Sequence, residues 1–81
     1  MLELEIMALD VWGNAEDGYD VNDAIHTGRF IELSEDYTKE DIIRECFDRH
    51  VDITIEDDGF NSIFIDREED GKPLFELRYC H

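Results

Sequence analysis

The excess of carboxylates is the feature that most limits how this chain can fold. Its 81 residues include 23 Asp and Glu against 7 Lys and Arg, which gives a formal net charge of −16 at pH 7. A folded state must leave most of these groups in water and must tolerate their mutual repulsion. Because 42% of the residues are hydrophobic and follow regular patterns, we expect a single small globular domain over residues 1–81 rather than a disordered chain.

Alternation of apolar and polar residues with a period of two predicts that most of the chain forms β-strands. In the first strand the alternation shifts, which predicts a bulge near Ile6–Ala8 or a strand that is buried on both faces. The polar, glycine-containing segment Gly13–Asp23 predicts a loop after this strand. The predicted strands begin at Leu2 and then cover Arg29–Leu33, Val51–Glu56, a segment around Ile63–Ile65, and Leu74–Cys80.

One helix is predicted between the second and third strands. Thr38 stands three residues before Asp41, the spacing of a capping box at a helix N-terminus. Ile42, Ile43, Cys46 and Phe47 then form an apolar stripe at helical spacing, and we expect the helix to end near His50. The order β-β-α-β-β-β predicts an α+β fold, in which one helix packs on one face of an antiparallel sheet of four to five strands.

Carboxylates on the other face of the sheet are the first candidate binding surface. Glu3, Glu5, Asp52 and Glu56 alternate with apolar residues and point away from the predicted helix. Two carboxylates at i and i+2 on a strand lie roughly 6.6 Å apart, a separation of the same order as that between neighbouring phosphates of nucleic acid. Such an array would suit a protein that normally binds DNA or RNA, although the alternative is a solvated surface that serves solubility alone.

Three aromatic residues that the core pattern does not explain are further candidates for partner binding. Trp12, Tyr19 and Phe64 would form large apolar contacts inside an acidic rim, as hot spots of protein interfaces do. The alternative, which we favour for Trp12, is that it caps the edge of the core, because small domains usually bury their single Trp. In the same way, Tyr19 would only pin the loop.

Catalytic, metal and cofactor signatures are not recognisable in the sequence, so we expect a protein that is not an enzyme and needs no cofactor. The Gly13–Asp23 segment is rich in oxygen ligands, and a Ca²⁺-binding module therefore stays open as an alternative, but its spacing is not that of an EF-hand loop. Cys46 and Cys80 lack the spacing of a zinc site or disulfide framework, which predicts reduced thiols in a cytoplasm. The N-terminus lacks the pattern of a signal peptide.

Neighbouring carboxylates in the turns also give an expectation about acid. Asp57 and Asp58 are adjacent, and so are Glu68, Glu69 and Asp70. Because like charges at short range disfavour ionisation, we expect raised pKa values for these groups and greatest stability near pH 5.

The segments Asp10–Asn14, Gly18–Asp23 and Thr27–Gly28 resemble small proteins that are encoded by bacteriophages and prophages and have no assigned activity. The resemblance covers roughly the first 45 residues and implies a virus inside a bacterial cell as the setting. Small acidic viral proteins often inhibit host defence or DNA-handling proteins, some of them as DNA mimics. We therefore expect a monomer or weak dimer that binds a basic, nucleic-acid-binding host protein in the cytoplasm, without binding nucleic acid or a membrane itself. The alternative is an accessory interaction protein whose acidity serves solubility.

Overall fold

The first and last strands of the chain lie side by side in the middle of one sheet. This computed structural model describes all residues 1–81, and its five antiparallel strands have the order β2-β1-β5-β4-β3. The α+β fold with one helix on an antiparallel sheet is confirmed. The elements are β1 (Leu2–Asn14), β2 (Gly18–Leu33), α1 (Lys39–Cys46), β3 (Ile53–Asp57), β4 (Ser62–Arg67) and β5 (Pro73–Tyr79).

The hydrophobic core lies between α1 and one face of the sheet. Alternation places every second residue of β1, β4 and β5 on this face, and the helix covers them with its apolar stripe. Each fully buried Ile or Leu contributes roughly 1.5–3 kcal/mol relative to an exposed one. The buried cluster consists of Leu4, Ile6, Leu33, Ile42, Ile43, Ile53, Ile63, Ile65 and Leu77.

Helix α1 begins as predicted and ends earlier than predicted. The capping box is present: the Asp41 N–H donates to Thr38 Oγ1, and the Thr38 N–H donates to Asp41 Oδ2. The predicted end near His50 is wrong, because Phe47 leaves the helical conformation and packs its ring on Phe75, with the ring centroids 5.5 Å apart. No helix of the chain is long and apolar enough to cross a membrane.

The segment Gly13–Asp23, predicted to be a loop, is instead the end of a long β-hairpin. Its turn is only Ala15–Asp17, and the Asn14 side-chain oxygen accepts hydrogen bonds from the two backbone N–H groups of Glu16 and Asp17. Gly13 has φ of +98°, and a Cβ atom there would lie 2.2 Å from the Gly18 carbonyl oxygen, so the turn requires glycine.

Residues 9–24, which we name the arm, extend this hairpin beyond the central sheet. Strand β1 pairs with β5 only from Leu4 to Ala8, whereas its pairing with β2 continues to Asn14. The arm therefore relies on its own two-stranded ladder, and such a ribbon is only marginally stable without packing against another element.

Two bulges interrupt strand β2. Glu5 pairs with Phe30 and Met7 pairs with His26, so residues 27–29 face a single residue of β1. A second register shift leaves Asn22 without a partner on β1. The predicted irregularity near Ile6–Ala8 thus lies between Glu5 and Met7, with the extra residues on β2. Met7 is also fully buried, on the face opposite Ile6.

Candidate protein-binding surface

The sheet face that α1 does not cover, named the open face, carries four of the seven predicted site residues: Glu3, Glu5, Glu56 and Phe64. Cross-strand pairing defines its central row, and the row beside it begins at Phe30 and continues through Glu5 and Arg78 to Ser62. From β2 to β3, the central row consists of His26, Met7, Glu76, Phe64 and Glu56.

The predicted carboxylates Glu3 and Glu5 differ in how much of their charge they offer to a partner. Glu3 is exposed and lies opposite Glu32. The Glu5 side chain is only 14% exposed, and it accepts hydrogen bonds from His26 Nδ1–H at 2.9 Å and from the Gly28 N–H at 3.2 Å. The hydrogen bond from His26, together with that from Gly28, lowers the pKa of Glu5. The carboxylate of Glu5 is therefore partly used by contacts within the chain and is less available to a partner.

The other two predicted carboxylates, Asp52 and Glu56, are both exposed but are not equivalent. Asp52 precedes β3 and lies 2.8 Å from His50 Nε2, whereas Glu56 has no hydrogen-bond partner in the chain. Strands β1 and β3 are three positions apart in the sheet, which separates Glu5 from Glu56 by more than about 14 Å at the usual spacing of strands. The four carboxylates are thus two groups rather than one continuous ladder.

Glu76 is the one buried acidic residue, at the centre of the open face. It is 5% exposed, although strand alternation alone places it on the outward face. The Ser62 hydroxyl donates to its carboxylate at 2.5 Å, and Arg78 donates through Nε at 3.0 Å and through Nη2 at 3.4 Å. Because its charge is paired, Glu76 adds little to the field that a partner meets.

A groove lies on the open face between the arm and β3. Its apolar wall consists of Leu9 and Val21 from the arm, the Phe64 ring and Pro73, and its volume is about 330 Å³. Glu56, Asp66 and Glu76 complete the lining. We name this the open-face groove. Of the residues that line it, Phe64 and Glu56 could be recognised from the sequence, whereas Leu9, Val21 and Asp66 could not.

Asp66 is the carboxylate whose surroundings suit a negative charge least. Burial raises the pKa of Asp66, and the nearby negative charge of Glu56 raises it further. Neither carboxylate forms an ion pair within the chain. Glu56 and Asp66 therefore stand beside an apolar wall without a basic side chain as partner, whereas the carboxylate of Glu76 is paired with Arg78.

The turn carboxylates have lowered pKa values, so the expectation of raised values is wrong for Asp57, Asp58 and Asp70. Burial alone would raise the pKa of Asp57, but hydrogen bonds from Tyr37, the Gly59 N–H and Tyr79 lower it overall.

The other two turn carboxylates are held in a similar way. The backbone N–H groups of Ser62, Phe60 and Asn61 lower the pKa of Asp58. Asp70 is bound by the Arg67 guanidinium, which holds the pKa of that carboxyl far below its usual range. Hydrogen bonds to the ionised form outweigh repulsion between neighbours.

The aromatic residues take three different positions. Trp12 is 64% exposed on the arm, so the favoured expectation that it caps the core is wrong; the arm carries it beyond the part of the sheet that α1 covers. The expectation that Tyr19 fixes the segment Gly13–Asp23 is confirmed. Its hydroxyl donates to Asp70 at 3.0 Å and so connects the arm to the turn between β4 and β5. Phe64 is 39% exposed on the open face.

The side chains with metal-binding or nucleophilic chemistry lie apart. No group of three or more His, Cys, Asp or Glu side chains is close enough to hold a metal ion, and the segment on which the calcium alternative depends is the hairpin of the arm. Both cysteines are free, and burial raises the pKa of the Cys46 thiol to about 11. Comparison with known proteins finds no match: no family model fits the chain, and no curated protein or solved structure is detectably similar to it.

Proposed function

We propose that this chain is a non-enzymatic binding protein that docks its carboxylate-rich surface on a basic, nucleic-acid-binding protein. In this proposal it is a bacteriophage product that acts in the bacterial cytoplasm as a DNA mimic or as an inhibitor of a defence protein. The observation that supports it best is uncompensated charge: most of the 23 acidic residues are exposed, and only four of them pair with an arginine or with the N-terminal ammonium group within the chain.

The physical argument begins with the field that these carboxylates create. A surface of one sign attracts partners of the opposite sign, speeds their encounter and repels other polyanions. Residues 1–37, which include the arm, hold ten acidic residues and one basic residue, Arg29. DNA, RNA and anionic lipid would be repelled, whereas a protein with a nucleic-acid-binding groove presents the complementary field.

A second candidate function is supported by apolar groups on the arm and β2. Trp12, Ile25 and Phe30 are each more than half exposed, which is unusual for large apolar side chains in a small monomer. An accessory interaction protein would use them as contacts while its acidity kept it soluble. Self-association through β2 is disfavoured by like charge and by the two bulges, which interrupt the outer edge of the strand.

Salt and competing DNA distinguish these two functions in one experiment. The immobilised chain is incubated with a bacterial lysate, and bound proteins are eluted either with excess duplex DNA or by raising salt from about 50 to about 500 mM, a range that shortens the screening length severalfold. We expect basic DNA-binding proteins to be released by both treatments. Partners that are retained under both treatments would contradict the proposal and favour the accessory function.

The matched control for charge is the variant Ile63→Asn, which buries an unpaired amide in the core and should unfold the chain without changing its net charge. Folded and unfolded chains that retain the same proteins would show that charge alone, rather than this surface, selects them.

A further inference from the structure

The open-face groove, which the exposed Phe64 ring lines, differs in its carboxylates from a second concavity that also combines acidic and apolar groups. This second concavity is lined by Met1, Glu3, Phe30, Ile31, Glu32 and Glu45. Its three carboxylates are all exposed, so water satisfies them. In the open-face groove, by contrast, Asp66 is partly withdrawn from water and stands beside Phe64 and Glu56 without a cation.

We propose that the open-face groove receives an arginine side chain of the basic partner, with the guanidinium between Glu56 and Asp66 and its plane against the Phe64 ring. This inference rests on the proposed function, and it adds the place and the side-chain chemistry of recognition. An arginine combines a planar cation that forms several hydrogen bonds with an aliphatic stem, and the groove offers carboxylates beside an apolar wall.

The register of the sheet places these groups within reach of one guanidinium. Phe64 pairs with Glu56 across β4 and β3, and Asp66 pairs with Thr54 two residues away, so Glu56 and Asp66 are diagonal neighbours on one face. Diagonal neighbours on adjacent strands lie about 7–8 Å apart, which leaves room for a planar cation to bridge them. The Phe64 ring beside them supplies the aromatic face on which a guanidinium stacks.

Leu9, Val21 and Pro73 suit the stem of the side chain. They form the side of the groove away from Glu56, and the volume of about 330 Å³ is at the small end of ligand sites. A divalent cation bound directly by the protein would instead need six or more oxygen ligands, whereas only Glu56 and Asp66 offer free carboxylates here. Glu76 already has Arg78 as its partner, so the added cation belongs to Glu56 and Asp66.

The state of Asp66 supports the same occupant. Burial and the charge of Glu56 both raise the pKa of this carboxyl, and a cation bound between the two would remove part of that cost. Binding of arginine should therefore lower the pKa of Asp66, a change that an ion elsewhere on the surface would not produce.

The test is an NMR titration of the chain with the peptide acetyl-Gly-Arg-Gly-amide at low salt. We expect the methyl signals of Leu9 and Val21 and the ring signals of Phe64 to shift together. The variant Glu56→Gln/Asp66→Asn should weaken binding at least about fivefold, because two partly shielded charge pairs are lost. The matched control, Glu32→Gln/Glu45→Gln, removes the same charge from the second concavity and should change affinity less than about twofold.

Several outcomes would overturn the arginine site. They are equal losses in the two variants, shifts centred on Phe30, the same shifts with acetyl-Gly-Gly-Gly-amide or with CaCl₂, or groove signals that change on dilution of the protein alone, which would indicate a second copy as occupant. The groove variant is also used in the lysate experiment. If it still binds basic proteins that DNA releases, the groove is wrong and the proposed function stands; if the unaltered chain binds none, the proposed function fails.

Discussion

The arm and the helix-covered half of the sheet share strand β1 but differ in what holds them together. In the helix-covered half, nine buried apolar residues from the helix and all five strands form one cluster. The arm contributes none of them, and its one side-chain hydrogen bond to the rest of the chain joins Tyr19 to Asp70. Stability is therefore concentrated in one region, whereas Trp12, Val21 and many acidic groups are exposed in the other. Substitutions on the arm should therefore cost the fold less than substitutions in the helix-covered half.

The sharpest way to test this comparison is the same substitution in the core and beside the base of the arm. Ile65 is fully buried on β4, whereas Ile25, beside the base of the arm, is 51% exposed. Ile65→Ala should cost about 2–5 kcal/mol because it leaves a cavity in the core, and Ile25→Ala should change the free energy of unfolding by less than about 0.5 kcal/mol. Urea denaturation followed by circular dichroism measures both. Equal losses would show that the hairpin at the base of the arm is packed in solution as tightly as the core.

A smaller effect is expected from acid, and its direction follows from the turns. The folded-state pKa values of Asp57, Asp58 and Asp70 are lowered, so their hydrogen bonds stabilise the fold at neutral pH. This contribution is fully present above the unfolded pKa of about 3.9 and is lost as pH falls through the lowered folded values. Asp66, whose pKa is raised, acts in the opposite direction but is a single group.

The melting temperature at high salt, where general repulsion is screened, should therefore not rise between pH 7 and pH 5 and should fall below about pH 4. Thermal unfolding at each pH measures it. A maximum near pH 4–5 under these conditions would restore the expectation from the sequence that repulsion dominates.

The smallest effect is expected from a substitution that loosens the arm and leaves the rest of the fold intact. Tyr19→Phe removes the hydrogen bond to Asp70 and keeps the ring, which should cost on the order of 0.5–1 kcal/mol. Amide exchange should become faster in residues 9–24, while exchange in β4 stays unchanged. As a control, Tyr37→Phe removes a hydroxyl that donates to Asp57, far from the arm. Faster exchange in the arm with this control would argue against the Tyr19 contact as the anchor.

The same comparison explains how much of the fold could be predicted from the sequence. The helix start was predictable because a capping box is a local signal, and β3 to β5 were predictable because one wet face and one buried face produce clear alternation. The arm could not be predicted in this way, because both of its faces are largely exposed to water. Its strands therefore show no regular alternation of apolar and polar residues. The Asn14 turn replaces a predicted loop of eleven residues with a turn of three.

The candidate site was only partly predictable, for a related reason. Phe64 could be found because it is an apolar residue on the outward face of its strand. Glu56 could be found because it continues the polar face of β3. Asp66, Leu9 and Val21 become part of the groove only when the arm and β4 are placed in one sheet, and the order of antiparallel strands is not encoded in local alternation. The burial of Glu76 likewise depends on its partners Ser62 and Arg78 on neighbouring positions of the sheet.

The central position of β5 has a consequence for how the chain is made. Because β1 pairs with the last strand, Leu4 lies opposite Tyr79 and the Cys80 N–H donates to the Glu3 carbonyl oxygen at 2.9 Å. The centre of the sheet therefore forms only after β5 has been synthesised. Until then the hairpin of β1 and β2 lacks β5 as its neighbour. During this time its acidic side chains should repel other nascent chains and oppose aggregation. The charge of the finished surface should thus also oppose aggregation while the sheet is incomplete.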